Sequence, residues 1–366
     1  MNADAESLNI NGQNLTRKRR SRIPKWIACH RMITNGGRRN MEEVIIVGAG
    51  PCGLSAAVEL QSIGVDPLVL EKNVVVHSIY QYPTYMQFFS TPELLEIGGI
   101  PFTTPNEKPT RQEALQYYRT VAKIRNVRIR SYEKVTSIRK TEYGFELTSE
   151  DRFGEKRNYG ARYVVVATGY FDYPNMLGIP GEDLPKVSHF YKESHPYTGM
   201  KVAIIGGNNS AVDAALELIR VDAEGTVVYR GSDYSPNIKP WIRPIFVSMV
   251  NKGRIRMMFN SRVVRIAERS IVVETGGRQE EIENDFVLAL TGFRPDRSFL
   301  REVGVTVDRE TEKPVFHPDT METNVPGLYV AGVVASGREA NEIFIETGRF
   351  HGKKIAEHIR SLRQTR

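Results

Sequence analysis

Cysteine is scarce in this 366-residue chain. There are two, Cys29 and Cys52, and Cys29 lies within the first 40 residues. The remainder therefore holds one thiol, and no disulfide can close inside it. That suits a reducing compartment such as the cytoplasm, and it excludes an intramolecular C-x-x-C redox pair. No apolar run approaches the ~18 residues of a membrane span, so nothing in the sequence asks for a membrane. No array of repeats of about 20–50 residues is visible, which excludes a solenoid. No metal site is assigned.

A surplus of one charge is also missing, except in one place. The whole chain carries a net +7, and residues 1–40 alone hold nine Lys/Arg against two acids. The body from Met41 onward is thus neutral overall, and it gives no reason to expect nucleic-acid binding. Three readings of the extension stand: a basic arm for nucleic acid or a membrane surface, a transit peptide, or upstream sequence ahead of the true start. Ile23–Ile33 is interrupted by Lys25, His30 and Arg31, so it is no signal-peptide core. Met41 stands directly before the first strand pattern. The upstream-start reading is favoured, with disorder expected in each case. Apolar content of 40% and charged content of 25% are those of an ordinary globular enzyme of two domains.

What is present begins at Met41. Val44–Val47 is a short apolar, β-branched run, the mark of a buried parallel strand. Gly48-Ala49-Gly50-Pro51-Cys52-Gly53 follows as a G-x-G-x-x-G, then a helical pattern ending near Gly64. A second apolar run ends in Glu71, which lies 23 residues after Gly48. These are the parts of a dinucleotide-binding βαβ unit, in order. Gly48 allows the tight turn, Gly50 lets the backbone approach a pyrophosphate, and Gly53 lets the helix sit close to the strand. The helix N-terminus, which begins at Pro51 and Cys52, offers free N–H groups from the residues after the proline to the phosphates. Glu71 stands where an acid holds ribose hydroxyls.

The pattern recurs. Lys201–Ile205 leads into Gly206-Gly207-Asn208-Asn209-Ser210-Ala211, a helical stretch to about Arg220 and a strand Thr226–Tyr229 ending in Arg230. Asn208 replaces the second glycine; Asn tolerates left-handed φ, so the turn is expected to survive. Arg230 lies 24 residues after Gly206, where an arginine attracts a 2′-phosphate and favours NADP(H) over NAD(H). Between the two units, Thr110–Arg125 has helical spacing. Val127–Arg130, Lys134–Lys140, Gly144–Ser149 and Lys156–Tyr159 read as antiparallel strands, and Tyr163–Ala167 as a buried strand running into Thr168-Gly169. Arg254–Glu283 reads as short strands, Phe286–Leu290 as a strand before Thr291-Gly292, and Val325–Ala331 as a strand before Gly332. A last helical stretch runs from about Glu339 to Leu362.

The fold expected is α/β, with two nested Rossmann-like dinucleotide-binding domains. Residues 41–170 and 286–366 form a discontinuous first domain, and residues 171–285 form a second domain inserted into it.

VIIVGAGPCGL (44–54), VVVATG (164–169), VAIIGGNNSA (202–211), LALTGFRPD (288–296) and GLYVAG (327–332) together resemble the two-dinucleotide flavoproteins close to the low-molecular-weight thioredoxin reductases. The resemblance covers about residues 41–360. It implies FAD on the first unit, NADPH on the second, and hydride transfer between their rings. There are two departures. Thioredoxin reductases of this size carry C-x-x-C shortly before the second fingerprint, where this chain reads SHFYKESHPYTGMKVAIIGG (188–207). The family normally has Gly-Asp where this chain has Gly332-Val333, so backbone contact alone is expected there. The single-cysteine GPCGL, YPTYMQFFSTPELLEIGGIPF (82–102) and AGVVASGREANEIFIETGRFHG (331–352) are similar to the bacillithiol-disulfide reductase family of Gram-positive bacteria. That resemblance implies NADPH-dependent, FAD-mediated reduction of a small-molecule disulfide, that of bacillithiol.

The residues allow a mechanism with open points. Cys52 sits in the first turn of a helix, where the dipole lowers a thiol pKa. There it either forms a mixed disulfide with the substrate or fills space beside the pyrophosphate. His189, His195 and His351 are candidate proton donors. The last helix, starting around Glu339–Ile343, directs its N-terminal amides at the flavin, which makes Ile343 a cofactor-side residue along with Thr168, Gly169 and Gly332. Tyr80, Tyr82, Tyr85, Phe88 and Phe89 read either as core anchors or as a wall of the site. Lys239, Trp241 and Arg243 read either as contacts for an anionic substrate or the NADPH phosphate or, the favoured reading, as a solvated basic loop. A flavin-dependent monooxygenase is the competing class, since HFYKESHPYTG (189–199) is similar to a stretch of those enzymes, and a nucleotide-sensing regulatory protein is a third. A homo-oligomer, dimer or tetramer, is expected.

Overall fold

The computed structural model describes residues 41–338 and 340–365. The start-site and disorder readings for residues 1–40 lie outside the described residues.

Strand β1 (Met41–Val47) is wholly buried over its apolar half. Helix α1 (Pro51–Ser62) starts with proline in its first turn, where a missing N–H is not needed. β2 (Leu68–Glu71) lies parallel to β1, with Val47 opposite Leu70. The aromatic connection holds two one-turn helices, α2 (His77–Gln81) and α3 (Pro92–Leu95). α4 (Arg111–Ile124) is started by a capping box between Thr110 and Glu113.

β3 (Arg128–Ser131) pairs parallel with β2, not antiparallel as the sequence suggests. It follows α4, and a helical crossover returns the chain in the same direction. β4 (Glu133–Thr141) and β5 (Gly144–Asp151) form a hairpin. β6 (Lys156–Val166) is one strand where the sequence suggests two. Its first half pairs antiparallel with β5 and its second half parallel with β1.

The second sheet is built from β7 (Val187–Ser188), β8 (Lys201–Ile205), β9 (Glu224–Val228), β10 (Ile255–Met258) and β14 (Phe286–Ala289). Its order is β10-β9-β8-β14-β7, all parallel. α5 (Asn209–Ile219) connects β8 to β9, and α6 (Arg243–Asn251) precedes β10. β11 (Ser261–Ile266), β12 (Ser270–Thr275) and β13 (Arg278–Glu283) form a small antiparallel sheet. β14 pairs with β8, so the return to the first sheet comes after Leu290 rather than at residue 286. The apolar run Phe286–Ala289 is claimed by the nearest parallel neighbour, β8.

The chain continues through α7 (Ser298–Glu302) to β15 (Leu328–Val330), which joins β6 in the first sheet. The expected single last helix is broken. A 3-10 turn at Ala340–Glu342 is followed by α8 (Ile345–Gly348) and, after Arg349-Phe350, by α9 (His351–Gln364). The break lets Gly352 approach α1, where an added Cβ would stand 2.6 Å from Ala56 Cα. Among the described residues no helix is long and apolar enough to cross a membrane.

The C-terminal ends of β1, β6 and β15 are in register: the amides of Ala167 and Ala331 donate to the carbonyls of Val47 and Val166 at 2.8 and 2.9 Å. The ends of β8, β9 and β14 are aligned in the same way through Gly206 and Leu290. In open α/β sheets, ligands bind at these carboxyl ends.

Candidate active site

One continuous cleft of about 1920 Å³ runs from the first fingerprint to the second. Gly48, Gly50, Pro51, Cys52, Glu71, Thr168, Gly169, Gly206, Gly207, Asn208, Asn209, Ser210, Arg230, Gly332 and Ile343 all line it. Gly53 does not; it is buried beneath the loop, where an added Cβ would strike Gly48 O.

In the first loop, Gly48 has φ +106°, and a Cβ there would be 2.5 Å from Ala167 O. A Cβ on Gly50 would meet nothing within 4 Å, so this position keeps open space over the helix N-terminus. Glu71 is buried, and its two carboxylate oxygens accept from the amides of Ala49 and Asn73, each at 2.8 Å. Burial raises its pKa, and the two amide hydrogen bonds oppose the rise.

The second loop corrects the reason given for Asn208. Its backbone is extended, with φ −95° and ψ −173°, so left-handed tolerance is not what the position uses. Gly50 is extended too, with φ −71° and ψ 175°. The second fingerprint position calls for room rather than a special dihedral. Asn208 clears that room by turning its side chain aside, where Oδ1 accepts from Ser235 Oγ at 2.6 Å. Asn209 Oδ1 accepts from Lys239 N at 3.0 Å.

Lys239 is therefore no solvated loop residue. Its side chain is buried, pairs with Asp213 at 2.9 Å, and stands 3.4 Å over the Phe89 ring. Lys108 stands 4.1 Å over Trp241 in the same way. Arg243 lies near Asp233. The basic loop interlocks with the aromatic connection rather than waiting for an anion. In that connection Phe88 is buried and also lines the cleft, Tyr82, Tyr85 and Phe89 line it too, and Tyr80 is exposed outside it, so the two readings overlap at Phe88.

The segments crossing between the two sheets are tied together. Asn175 N donates to Gly292 O at 2.9 Å, and Thr291 Oγ1 to Asn175 O at 2.7 Å. Phe171, Phe190 and Phe293 cluster there with ring centroids 4.3–5.6 Å apart, joined by Tyr82. All four line the cleft and make its middle apolar.

Cys52 is not activated by its helix. Burial, with the Glu346 charge adding to it, pushes its thiol up to about 12, against the expected lowering. The sulfur lies in a slot between two glycines. A Cβ on Gly332 would be 2.9 Å from Sγ, and one on Gly348 would be 2.8 Å from it. Gly348→Ala is accordingly expected to lower stability by about 1–3 kcal/mol, the usual range for overpacking. In a Cys52→Ala background the loss should shrink, because the sulfur is gone; denaturant unfolding of the four holoenzymes measures the coupling.

The candidate proton donors separate. His195 sits exposed in a 3-10 turn and does not line the cleft. His189 lines it, but sits 3.4 Å from Glu182. His351 Nδ1 accepts from Gly332 N at 3.1 Å, and burial, reinforced by Lys354, pushes its pKa down to about 4. A neutral acceptor of this kind is a poor acid. Between its ordinary value near 6.5 and about 4, the unfolded chain binds a proton that the folded one refuses, so stability should fall as pH drops through that window. His351→Asn, which keeps an acceptor without titrating, should flatten this part of the pH dependence; unfolding midpoints at about pH 7 and about pH 5 in both proteins check it.

The sequence reading missed three residues. Glu346 and Ser90 share a hydrogen bond beside the cleft. Buried Arg297 donates to the carbonyls of Pro295, Glu312, Ser336 and Gly337, fixing the loop after Gly332. Arg297 stands between Asp296 and Ser298, one residue past the LALTGFRPD motif, and neither it nor Glu346 nor Ser90 carries a local signal. Among the described residues no cluster could hold a metal ion.

Residues 45–332 match the model of the pyridine nucleotide-disulphide oxidoreductase family. The chain is 52% identical over 319 residues to the bacilliredoxin reductase Bdr of Bacillus subtilis, covering 87% of this chain and 97% of that one. It resembles the structure of the bacillithiol disulfide reductase Bdr (YpdA) from Bacillus cereus with a TM-score of 0.87 and 50% identity, over 88% of this chain and 100% of that one. The corresponding figures for the Staphylococcus aureus enzyme of that name are 0.84, 45%, 88% and 99%. The chain belongs to the pyridine nucleotide-disulphide oxidoreductase family and, within it, to the bacillithiol-disulfide reductases.

Proposed function

We infer that the protein is an NADPH-dependent flavoprotein that reduces a low-molecular-weight disulfide, that of bacillithiol. One observation carries the reading: the body's lone thiol, Cys52, lines a cleft that also reaches both dinucleotide fingerprints. The relatives named above bear the names of reductases, which favours this reading over a flavin-dependent monooxygenase.

The first fingerprint fits FAD. The space kept open at Gly50 suits a pyrophosphate, and Glu71 has lone pairs left for ribose hydroxyls after accepting two amides. Gly48, Gly50, Pro51, Cys52 and Gly53 would form that cradle, with Thr168, Gly169, Gly332 and Ile343 along the rest of the cofactor. Val333 has no acid to offer, so Gly332 and its neighbours contribute backbone. Gly206, Gly207, Asn208, Asn209 and Ser210 would hold NADPH, with Arg230 on its 2′-phosphate. When bound, FAD accepts a hydride from NADPH and supplies the electron pair that opens a disulfide.

This chain's own work is positioning, water exclusion and proton handling. The aromatic cluster keeps the middle of the cleft dry. Cys52 forms a mixed disulfide with half of the substrate and releases the other half as thiol. Because the body has no C-x-x-C, the disulfide must enter the cleft; no protein dithiol can go out to meet a large partner. Over the whole reaction, one NADPH and one proton convert one disulfide to two thiols. The single thiol suits the cytoplasm, the neutral body suits neither nucleic acid nor a membrane surface, and a homo-oligomer, dimer or tetramer, is proposed. The test is stoichiometry: NADPH consumed against bacillithiol formed under nitrogen should stand at one to two, and NADPH consumption with no thiol produced would overturn the reading.

A further inference from the structure

Glu346 lies in the one-turn helix α8, two residues before the glycine that walls the Cys52 sulfur. Its half-buried carboxylate lines the same cleft as Cys52 and accepts a hydrogen bond from Ser90 Oγ. Nearby Glu342 is paired with Lys313 at 3.7 Å, whereas no Lys, Arg or His is paired with Glu346 among the described residues. The acids that its charge reaches are Cys52 from α1, Tyr82 from the aromatic connection and Tyr118 from α4. Its charge raises the pKa of each of the three. A half-buried carboxylate with no cation paired to it among the described residues costs stability, and such arrangements concentrate where chemistry needs them.

We propose that Glu346 is the acid–base residue of the thiol–disulfide exchange at Cys52. This rests on the reading of the protein as a disulfide reductase with Cys52 as its reacting thiol. Cys52 is a neutral thiol in its slot, and a thiol attacks only as its proton leaves. Cys52 Sγ bonds to one sulfur of the substrate as the substrate S–S bond breaks. The Cys52 proton passes to the Glu346 carboxylate, which then gives it to the departing thiolate. The products are a Cys52 mixed disulfide and one free thiol; no electron is gained or lost in the exchange, and Glu346 ends ionised as it began. His351 is held as an acceptor by Gly332, and His195 is outside the cleft, so neither competes for the role. Ser90 holds the carboxylate in place.

Glu346→Gln separates proton transfer from simple charge. Two rates are read at Cys52 by mass spectrometry on oxidised holoenzyme: alkylation by iodoacetamide across pH, and mixed-disulfide formation with bacillithiol disulfide after acid quench. Removing the negative charge should move the alkylation midpoint to lower pH, yet slow mixed-disulfide formation by about 10²–10⁴-fold, the usual worth of a positioned acid–base group. Glu346→Asp should recover part of the exchange rate. A carboxylate acting by charge alone would make both reactions faster when removed, so parallel acceleration, or an unchanged exchange rate, overturns the proposal. Should Glu346→Gln not hold FAD, Ser90→Ala decides: it should slow exchange with no loss of alkylation, and a wild-type exchange rate contradicts the role. Normal thiol production with exchange indifferent to Glu346 defeats the acid–base role alone; wild-type enzyme that makes no thiol from the disulfide with NADPH defeats the functional reading as well.

Discussion

Cys52→Ser is expected to lower kcat/KM for bacillithiol disulfide by at least about a hundredfold, with FAD still bound and still bleached by NADPH. The slot between Gly332 and Gly348 accepts an oxygen in place of sulfur without new contacts, so the fold and the cofactor cradle should survive. The hydroxyl cannot form the mixed disulfide. Cys52→Ala should behave alike in turnover. The measurement is paired: anaerobic NADPH bleaching of each variant, then steady-state disulfide reduction. Turnover that persists in both variants would assign Cys52 to packing, and reduction would then have to bypass it.

Arg230→Ala is expected to raise KM for NADPH about 10–100-fold and leave NADH nearly unchanged. The side chain is exposed at the cleft, two residues beyond β9, and no carboxylate pairs with it among the described residues. A free guanidinium there can give a 2′-phosphate a charge-assisted bond worth about 1.5–3 kcal/mol. NADH lacks that phosphate and has nothing to lose. Equal damage to both coenzymes would show that Arg230 shapes the site without selecting the coenzyme.

The first fingerprint was legible because each of its requirements is local. Gly48 must turn, Gly50 must leave room, and Glu71 must end the next strand; all three are fixed within one βαβ unit. Cys52 was legible as a position and not as a chemical state. Its position at the start of α1 suggests an activated thiol, yet its slot is closed by Gly332 and Gly348 from the far end of the chain, and burial there outweighs the helix N-terminus. Glu346 escaped for the same reason, since only the tertiary fold brings α8 beside α1. Asn208 shows a different failure: the residue was tolerated as expected, but through a side chain drawn away by Ser235 rather than through its backbone. Lys239 was assigned to solvent because nothing near it in sequence reveals Phe89 beneath it. The parallel pairing of β3 was set by the crossover through α4, which strand composition does not report.

Reduced enzyme is expected to hand its electrons to a small disulfide inside the cleft. Stopped-flow mixing of anaerobic NADPH-reduced enzyme with bacillithiol disulfide tests it most directly. The flavin absorbance should return at a rate that saturates with disulfide concentration and exceeds the rate of return in air-saturated buffer. Absorbance that returns with oxygen, and does not return with bacillithiol disulfide, would contradict the account.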